Sequence, residues 1–184
     1  NFNTYNKFML NLFIDETKKV YESFGYNNVK INYSENKNEL NNTIDLSFDI
    51  NEGKITKINN ILIKGNNSIS SQEIRDIIVS KTKSLTNIFA NNNYKPAIVE
   101  RDKFLISNFY MDKGYIDIKV DVKIEYLDNN KVNIYFAIDE GNAYFLSSLE
   151  ILDKKSILNK NTLKIISEEK DIFVSNQHYF SAGN

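Results

Sequence analysis

Apolar and polar residues alternate most regularly between Ile116 and Tyr126. Ile116, Ile118, Val120, Val122, Ile124 and Tyr126 are interleaved with Asp117, Lys119, Asp121, Lys123 and Glu125. A period of two is that of a strand with one buried and one solvated face. Asp128-Asn129-Asn130 reads as a turn, after which Val132, Ile134, Phe136 and Ile138 alternate in a second strand. Upstream, the apolar run Ile61-Leu62-Ile63 ended by Gly65-Asn66-Asn67 predicts a short strand over 60–64 and its turn. Ser70 stands three residues before Glu73, a capping box, with Ile74, Ile77 and Ile78 at helical spacing behind it. This predicts a helix near residues 71–80. Residues 81–97 form a long polar connection that holds Leu85, Ile88, Phe89 and the single proline, Pro96. A second helix is expected near 97–112, with Ile98, Leu105 and Phe109 on one face, Phe104 and Ile106 widening it, and Gly114 as its left-handed C-terminal residue. The order is β-α-α-β-β. Since the strands place their apolar side chains on one face, both helices must cover that face and leave the other to water.

The pattern repeats. Tyr21-Glu22-Ser23-Phe24-Gly25-Tyr26 resembles Tyr110-Met111-Asp112-Lys113-Gly114-Tyr115, and Asp45 to Gly53 resembles Asn133 to Gly141. Beyond each Glu-Gly, Ile55, Ile58, Ile61 and Ile63 fall on Ala143, Leu146, Leu149 and Ile151. A period near 88 residues is that of a domain, too long for a solenoid repeat. Before residue 54 only the second half of a unit is seen. Leu10, Phe13, Ile14, Thr17, Tyr21 and Phe24 share a helix face closed by Gly25. Val29, Ile31 and Tyr33 give one strand; Ile44, Leu46, Phe48 and Ile50 give its partner. After residue 141 a unit begins at Phe145–Leu152, has a helix near 161–169, and is followed by a tail, Ser175 to Asn184, that matches nothing in the repeat. The chain therefore reads as an excerpt of a longer string of units.

Composition narrows the chemistry. The 184 residues carry a net charge of -1, no Cys and one His. No disulfide, thiolate zinc site or thiol nucleophile is available, and a His cluster for a metal is excluded. His178 alone cannot carry an argument for catalysis. Near-zero net charge argues against nucleic acid as a partner. No apolar run is long enough for a membrane helix, and Phe8 to Ile14 is too broken for a signal peptide. Carboxylate pairs such as Asp139 and Glu140 or Glu168 and Glu169 are the remaining enzymatic candidates. Neighbours in a strand point to opposite faces, so Asp139 and Glu140 do not converge on a substrate. No catalytic residue, metal ligand or cofactor is expected.

The ordered set of Ile61 to Asn66, Ser70 to Ile78, Asp102 to Tyr115 and Val132 to Gly141 resembles the polypeptide-transport-associated (POTRA) domains of the BamA family of outer-membrane barrel-assembly proteins. The long 81–97 connection looks most like the third of that family's five modules. The resemblance implies an α+β fold of tandem modules, each β-α-α-β-β with two helices on one face of a three-stranded mixed sheet. Residues 1–53 would be the C-terminal part of one module, 54–141 a complete module, and 142–184 the N-terminal part of a further one. Asp153-Lys154 departs from the family's Gly-Asn turn.

The resemblance implies a periplasmic scaffold that receives unfolded outer-membrane proteins and docks accessory lipoproteins, joined to the membrane through a C-terminal barrel outside this chain. A sheet this small leaves edge strands, and an edge can accept a guest strand by backbone bonds. In the family the second strand is that edge; here it is Ile116, Asp117, Ile118, Lys119, Val120, Asp121, Val122 and Lys123, with Val29 to Tyr33 as its counterpart. The same charged residues also read as guards against aggregation. Glu52-Gly53-Lys54 and Glu140-Gly141-Asn142 join successive units almost without linker, and are expected to form limited hinges. Related modules in two-partner secretion and translocation-and-assembly barrels are the alternative reading, a carboxylate enzyme a remote one.

Overall fold

The computed structural model describes residues 4–83, 91–147, 159, 161–162 and 164–166. Two compact units are present: Asn1–Ile106 with Val120–Asp139, and Ser107–Lys119 with Glu140–Asn184. The fold is α+β.

The first element, α1 (Lys7–Phe24), starts where Asn6 Oδ1 accepts from the Phe8 amide, and ends at Gly25 with φ 100°. Leu10 and Ile14 are its buried residues. Phe13 lies on Phe48 with ring centroids 5.2 Å apart, but is otherwise exposed. The strands β1 (Lys30–Asn38) and β2 (Thr43–Asn51) form an antiparallel two-stranded sheet, in register from Lys30 with Asn51 to Asn38 with Thr43.

The second sheet holds β3 (Lys57–Lys64), β4 (Lys119–Leu127) and β5 (Lys131–Asp139) in the order β3-β5-β4. β5 runs parallel to β3, with a bulge at Asn59 between the pairs Ile58–Val132 and Asn60–Asn133. The three-residue connection from β4 makes that neighbour antiparallel. Val132, Ile134, Phe136 and Ile138 on β5 are all buried, as the alternation requires. The first helix of this region, α2 (Ser71–Ile77), has the expected capping box between Ser70 and Glu73. It stops short of residue 80, because the amides of Val79 and Ser80 leave the helix for Asp102, at 2.6 and 3.0 Å.

That carboxylate also corrects the face expected of α3 (Pro96–Met111). The buried stripe is Val99, Asp102, Ile106 and Tyr110, while Phe104 is 61% exposed and Ile98, Leu105 and Phe109 are intermediate. The face is rotated because an acid occupies a core position. Its two oxygens accept the amides of Val79 and the buried Ser80, so its burial is tolerated.

The connection before α3 is only partly a loop. Asn92 and Tyr94 are buried. Asn93 bridges antiparallel to Lys57, Ile58 N donates to Asn92 O at 2.7 Å, and Tyr94 N donates to Thr56 O at 2.8 Å. Leu85, Ile88 and Phe89 lie outside the described residues, as do His178, Glu168, Glu169, Asp153-Lys154 and the 175–184 tail. Residues 161–162 and 164–166 are helical, and Asn159 Oδ1 accepts from the Thr162 amide at 2.8 Å.

Candidate functional site

The two edges of the three-stranded sheet differ. On β3, Asn92 to Tyr94 occupy the backbone of Thr56 to Ile58. Asn92 Nδ2 donates to Ile58 O at 3.0 Å, and the Arg75 guanidinium donates to Ile61 O at 3.1 Å. These bonds cover the start of that edge and one carbonyl further along it. On β4 the outer backbone of Val120 to Leu127 makes no hydrogen bond outside the sheet among the described residues. An edge in this condition can take up another strand.

The expected guest edge therefore lies at the sheet margin, but begins later than its sequence suggests. Lys119, Val120, Asp121, Val122 and Lys123 belong to β4, which continues to Leu127. Ile116 and Asp117 form a turn, and Ile118 precedes the strand. The correction has a local cause. Tyr115 N donates to Tyr110 O, Ile116 N to Gly114 O and Ile118 N to Tyr115 O, which holds the chain curled behind the helix cap. The counterpart strand behaves alike, for β1 starts at Lys30 and Val29 precedes it.

Burial on β4 is graded. Val120 is buried, Val122 and Ile124 are intermediate, and Tyr126 is 65% exposed. The apolar row of the edge strand is thus incompletely covered, unlike that of β5. On the opposite face, Glu125 accepts from the Tyr135 hydroxyl and from Asn133 Nδ2, both at 2.7 Å. The Tyr135 bond, then the Asn133 bond, hold the Glu125 carboxyl below the usual carboxylate range.

The junction residues are all described. Gly53 and Gly141 adopt positive φ, 70° and 63°. Gly25 O accepts from Thr56 N at 2.8 Å, and Gly114 O accepts from Tyr144 N at 2.9 Å. Each helix cap is thereby tied to the segment that follows the next Glu-Gly. Asn27 Nδ2 adds bonds to Gly25 O and Tyr94 O, both at 3.0 Å. The buried Tyr110 hydroxyl donates to Glu140 Oε1 at 2.9 Å. Glu52, Lys54 and Asn142 are exposed. The sequence pattern did not single out Asn27, Asn92, Asn93 or Tyr94. Tyr94, an aromatic inside a polar run just before Pro96, was the available signal.

Among the described residues no group of three or more His, Asp or Glu is placed to hold a metal, and no helix is long and apolar enough to cross a membrane.

Residues 56–141 match the family model described as POTRA, surface antigen variable number repeat. The chain is 28% identical over 124 residues to outer membrane protein assembly factor BamA of Neorickettsia risticii, covering 67% of this chain and 17% of that protein. It is 31% identical over 111 residues to BamA of Buchnera aphidicola, covering 59% of this chain and 18% of that protein. It therefore spans less than a fifth of the length of these relatives. A crystal structure of BamA from Haemophilus ducreyi lacking POTRA domains 1–3 aligns with a TM-score of 0.54 at 18% identity, over 76% of this chain and 24% of that one. That likeness is one of fold.

Proposed function

We propose that the chain, whose residues 56–141 match the POTRA family model, is part of the periplasmic region of an outer-membrane protein assembly factor, where it receives unfolded outer-membrane proteins and docks accessory lipoproteins. The observation that carries this reading is the asymmetry of the sheet. Its β3 edge is covered by Asn92 to Tyr94 over Thr56 to Ile58, while β4 offers its outer backbone over Val120 to Leu127. Backbone pairing needs no particular guest sequence, which suits a receptor of many β-rich clients. The half-covered row Val122, Ile124 and Tyr126 favours guests whose own residues alternate apolar and polar.

Each net backbone bond contributes roughly 0.5 to 1.5 kcal/mol. Five or six such bonds are set against an association cost of at least about 4 kcal/mol. One edge therefore binds weakly, and useful avidity comes from several modules in series. Weak serial binding allows clients to be passed on. On this reading 1–53, 54–141 and 142–184 are successive modules, and Glu52-Gly53-Lys54 and Glu140-Gly141-Asn142 are hinges whose range is limited by the bonds at Gly25 and Gly114.

The test places Pro at Lys119 or Asp121, whichever amide faces outward, in the full-length protein. We expect barrel assembly and client crosslinking to β4 to fall while the domain stays folded. Unchanged assembly with a folded domain would sink the strand-acceptor reading.

A further inference from the structure

At one end of the three-stranded sheet a groove of about 340 Å³ is lined by Lys57, Ile58, Asn59, Lys83, Asn92 and Lys131. Three of its six lining residues are cations and none is an acid. The β3–β5 register sets Lys57 directly beside Lys131. Like charges on neighbouring strands destabilise a sheet unless something neutralises them. Among the described residues none of the three lysines pairs with a carboxylate. Lys57 Nζ instead donates to the neutral Asn93 Oδ1 at 2.5 Å. The bulge at Asn59 opens the strand pairing just beyond the two lysines. Asn92, only 8% exposed, leaves its Oδ1 without a partner, an acceptor in the groove wall suited to a hydroxyl donor.

We propose that this groove binds a phosphoryl group. Three ammonium groups from separate segments match the three outer oxygens and roughly double negative charge of a phosphate better than the two coplanar oxygens of a carboxylate. Lysine acts here as a point charge, so a tetrahedral anion is accommodated without bidentate geometry. A lipid headgroup and free phosphate share this chemistry, and the hydroxyls of a glycerol headgroup would also supply the donor for Asn92. The assignment is independent of the edge-strand proposal, since β4 contributes no residue to the groove.

The test uses the 184-residue chain in two arms. In the first, inorganic phosphate is titrated while the amide signals of Ile58, Asn59, Asn92 and Lys131 are followed. In the second, flotation compares phosphatidylcholine vesicles with and without phosphatidylglycerol. We expect binding in at least one arm, at least tenfold weaker in the double variant Lys83→Gln/Lys131→Gln. It should be retained in Lys83→Arg/Lys131→Arg and unaffected by Lys37→Gln. Saturable phosphate shifts without vesicle preference identify a free phosphoryl ligand; selective flotation identifies a headgroup. The proposal is overturned if neither arm shows binding, if the Gln variant binds within twofold of the original, or if acetate and polyglutamate displace the ligand as well as phosphate does.

Discussion

The two junctions are built to one plan and held by different bonds. In each, a helix ends on Tyr-x-x-x-Gly-Tyr. The amide of the last Tyr returns to the carbonyl of the first, Tyr26 to Tyr21 and Tyr115 to Tyr110, at 3.1 Å in both. The ring pairs are edge-on, 6.2 Å apart in the first and 5.6 Å in the second. In each, the glycine carbonyl receives an amide from the segment that follows Glu-Gly. At the first junction Gly25 stands against the side chains of Ile55 and Asn93, and Asn27 bridges Gly25 to Tyr94. Tyr21 is only half-buried and Glu52 is exposed. At the second, Tyr110 is fully buried and bonded to Glu140, and a Cβ at Gly114 would sit 2.6 Å from Tyr144 O. The first junction is thus braced by the amide side chains of Asn27 and Asn93, the second by a buried hydroxyl–carboxylate bond and backbone contact. One sequence motif fixes the direction of the turn; what surrounds it fixes how much force the turn can bear.

Glycine replacement should expose this difference most strongly. Gly114→Ala meets a backbone carbonyl at a φ of 91°, and is expected to cost roughly 2–4 kcal/mol. Gly25→Ala has the same backbone strain, but its nearest neighbours are Ile55 Cγ2 at 3.1 Å and Asn93 Cβ at 3.2 Å, which can shift. About 1–2 kcal/mol is expected there. Urea denaturation, with amide exchange at Thr56 and Tyr144, measures both; equal costs would erase the distinction. Next in size is the pair Tyr110→Phe and Tyr21→Phe. The first deprives a buried carboxylate of a donor and should cost about 1–3 kcal/mol. The second removes a half-buried hydroxyl and should cost less than about 0.5 kcal/mol. Comparable losses would mean that the Tyr110–Glu140 bond contributes little. The smallest effect is in titration. The bond to Asp117 holds the Tyr144 phenol above its ordinary value, and the first junction has Thr56 and Asn28 in the corresponding places. A raised folded-state value stabilises below the ordinary phenol range, near pH 10, and that contribution is lost as pH rises through the folded value. Phenolate absorbance should show Tyr144 titrating late, and Asp117→Asn should bring it back. No change in that variant would remove the bond from the account.

The elements with strict periodicity were legible in the sequence. The β4–β5 alternation, the Ser70–Glu73 box and the repeated Gly-Tyr caps each depend on a few neighbouring residues, so the local pattern contains the answer. The local pattern does not place the α3 stripe, because Asp102 sits in the core and its partners, Val79 and Ser80, are more than twenty residues away. Nor does it place the start of β4, because the alternation through Ile116 and Ile118 continues into a turn governed by the Gly114 cap. No period marks Asn92 to Tyr94 either, since only two or three residues pair with β3.

The sequence by itself determined the α+β class, the order of elements and the recurrence of the junction. Side-chain period and glycine placement act over a turn or two of chain, and one copy of the repeat reports on the other. Tertiary structure alone decided which sheet edge is partly covered, which tyrosine finds a buried acid and where three lysines line one groove with no carboxylate paired to them among the described residues. Those outcomes depend on backbone amides and side chains brought together from distant positions, and a one-dimensional hydrophobic pattern carries no record of such pairings.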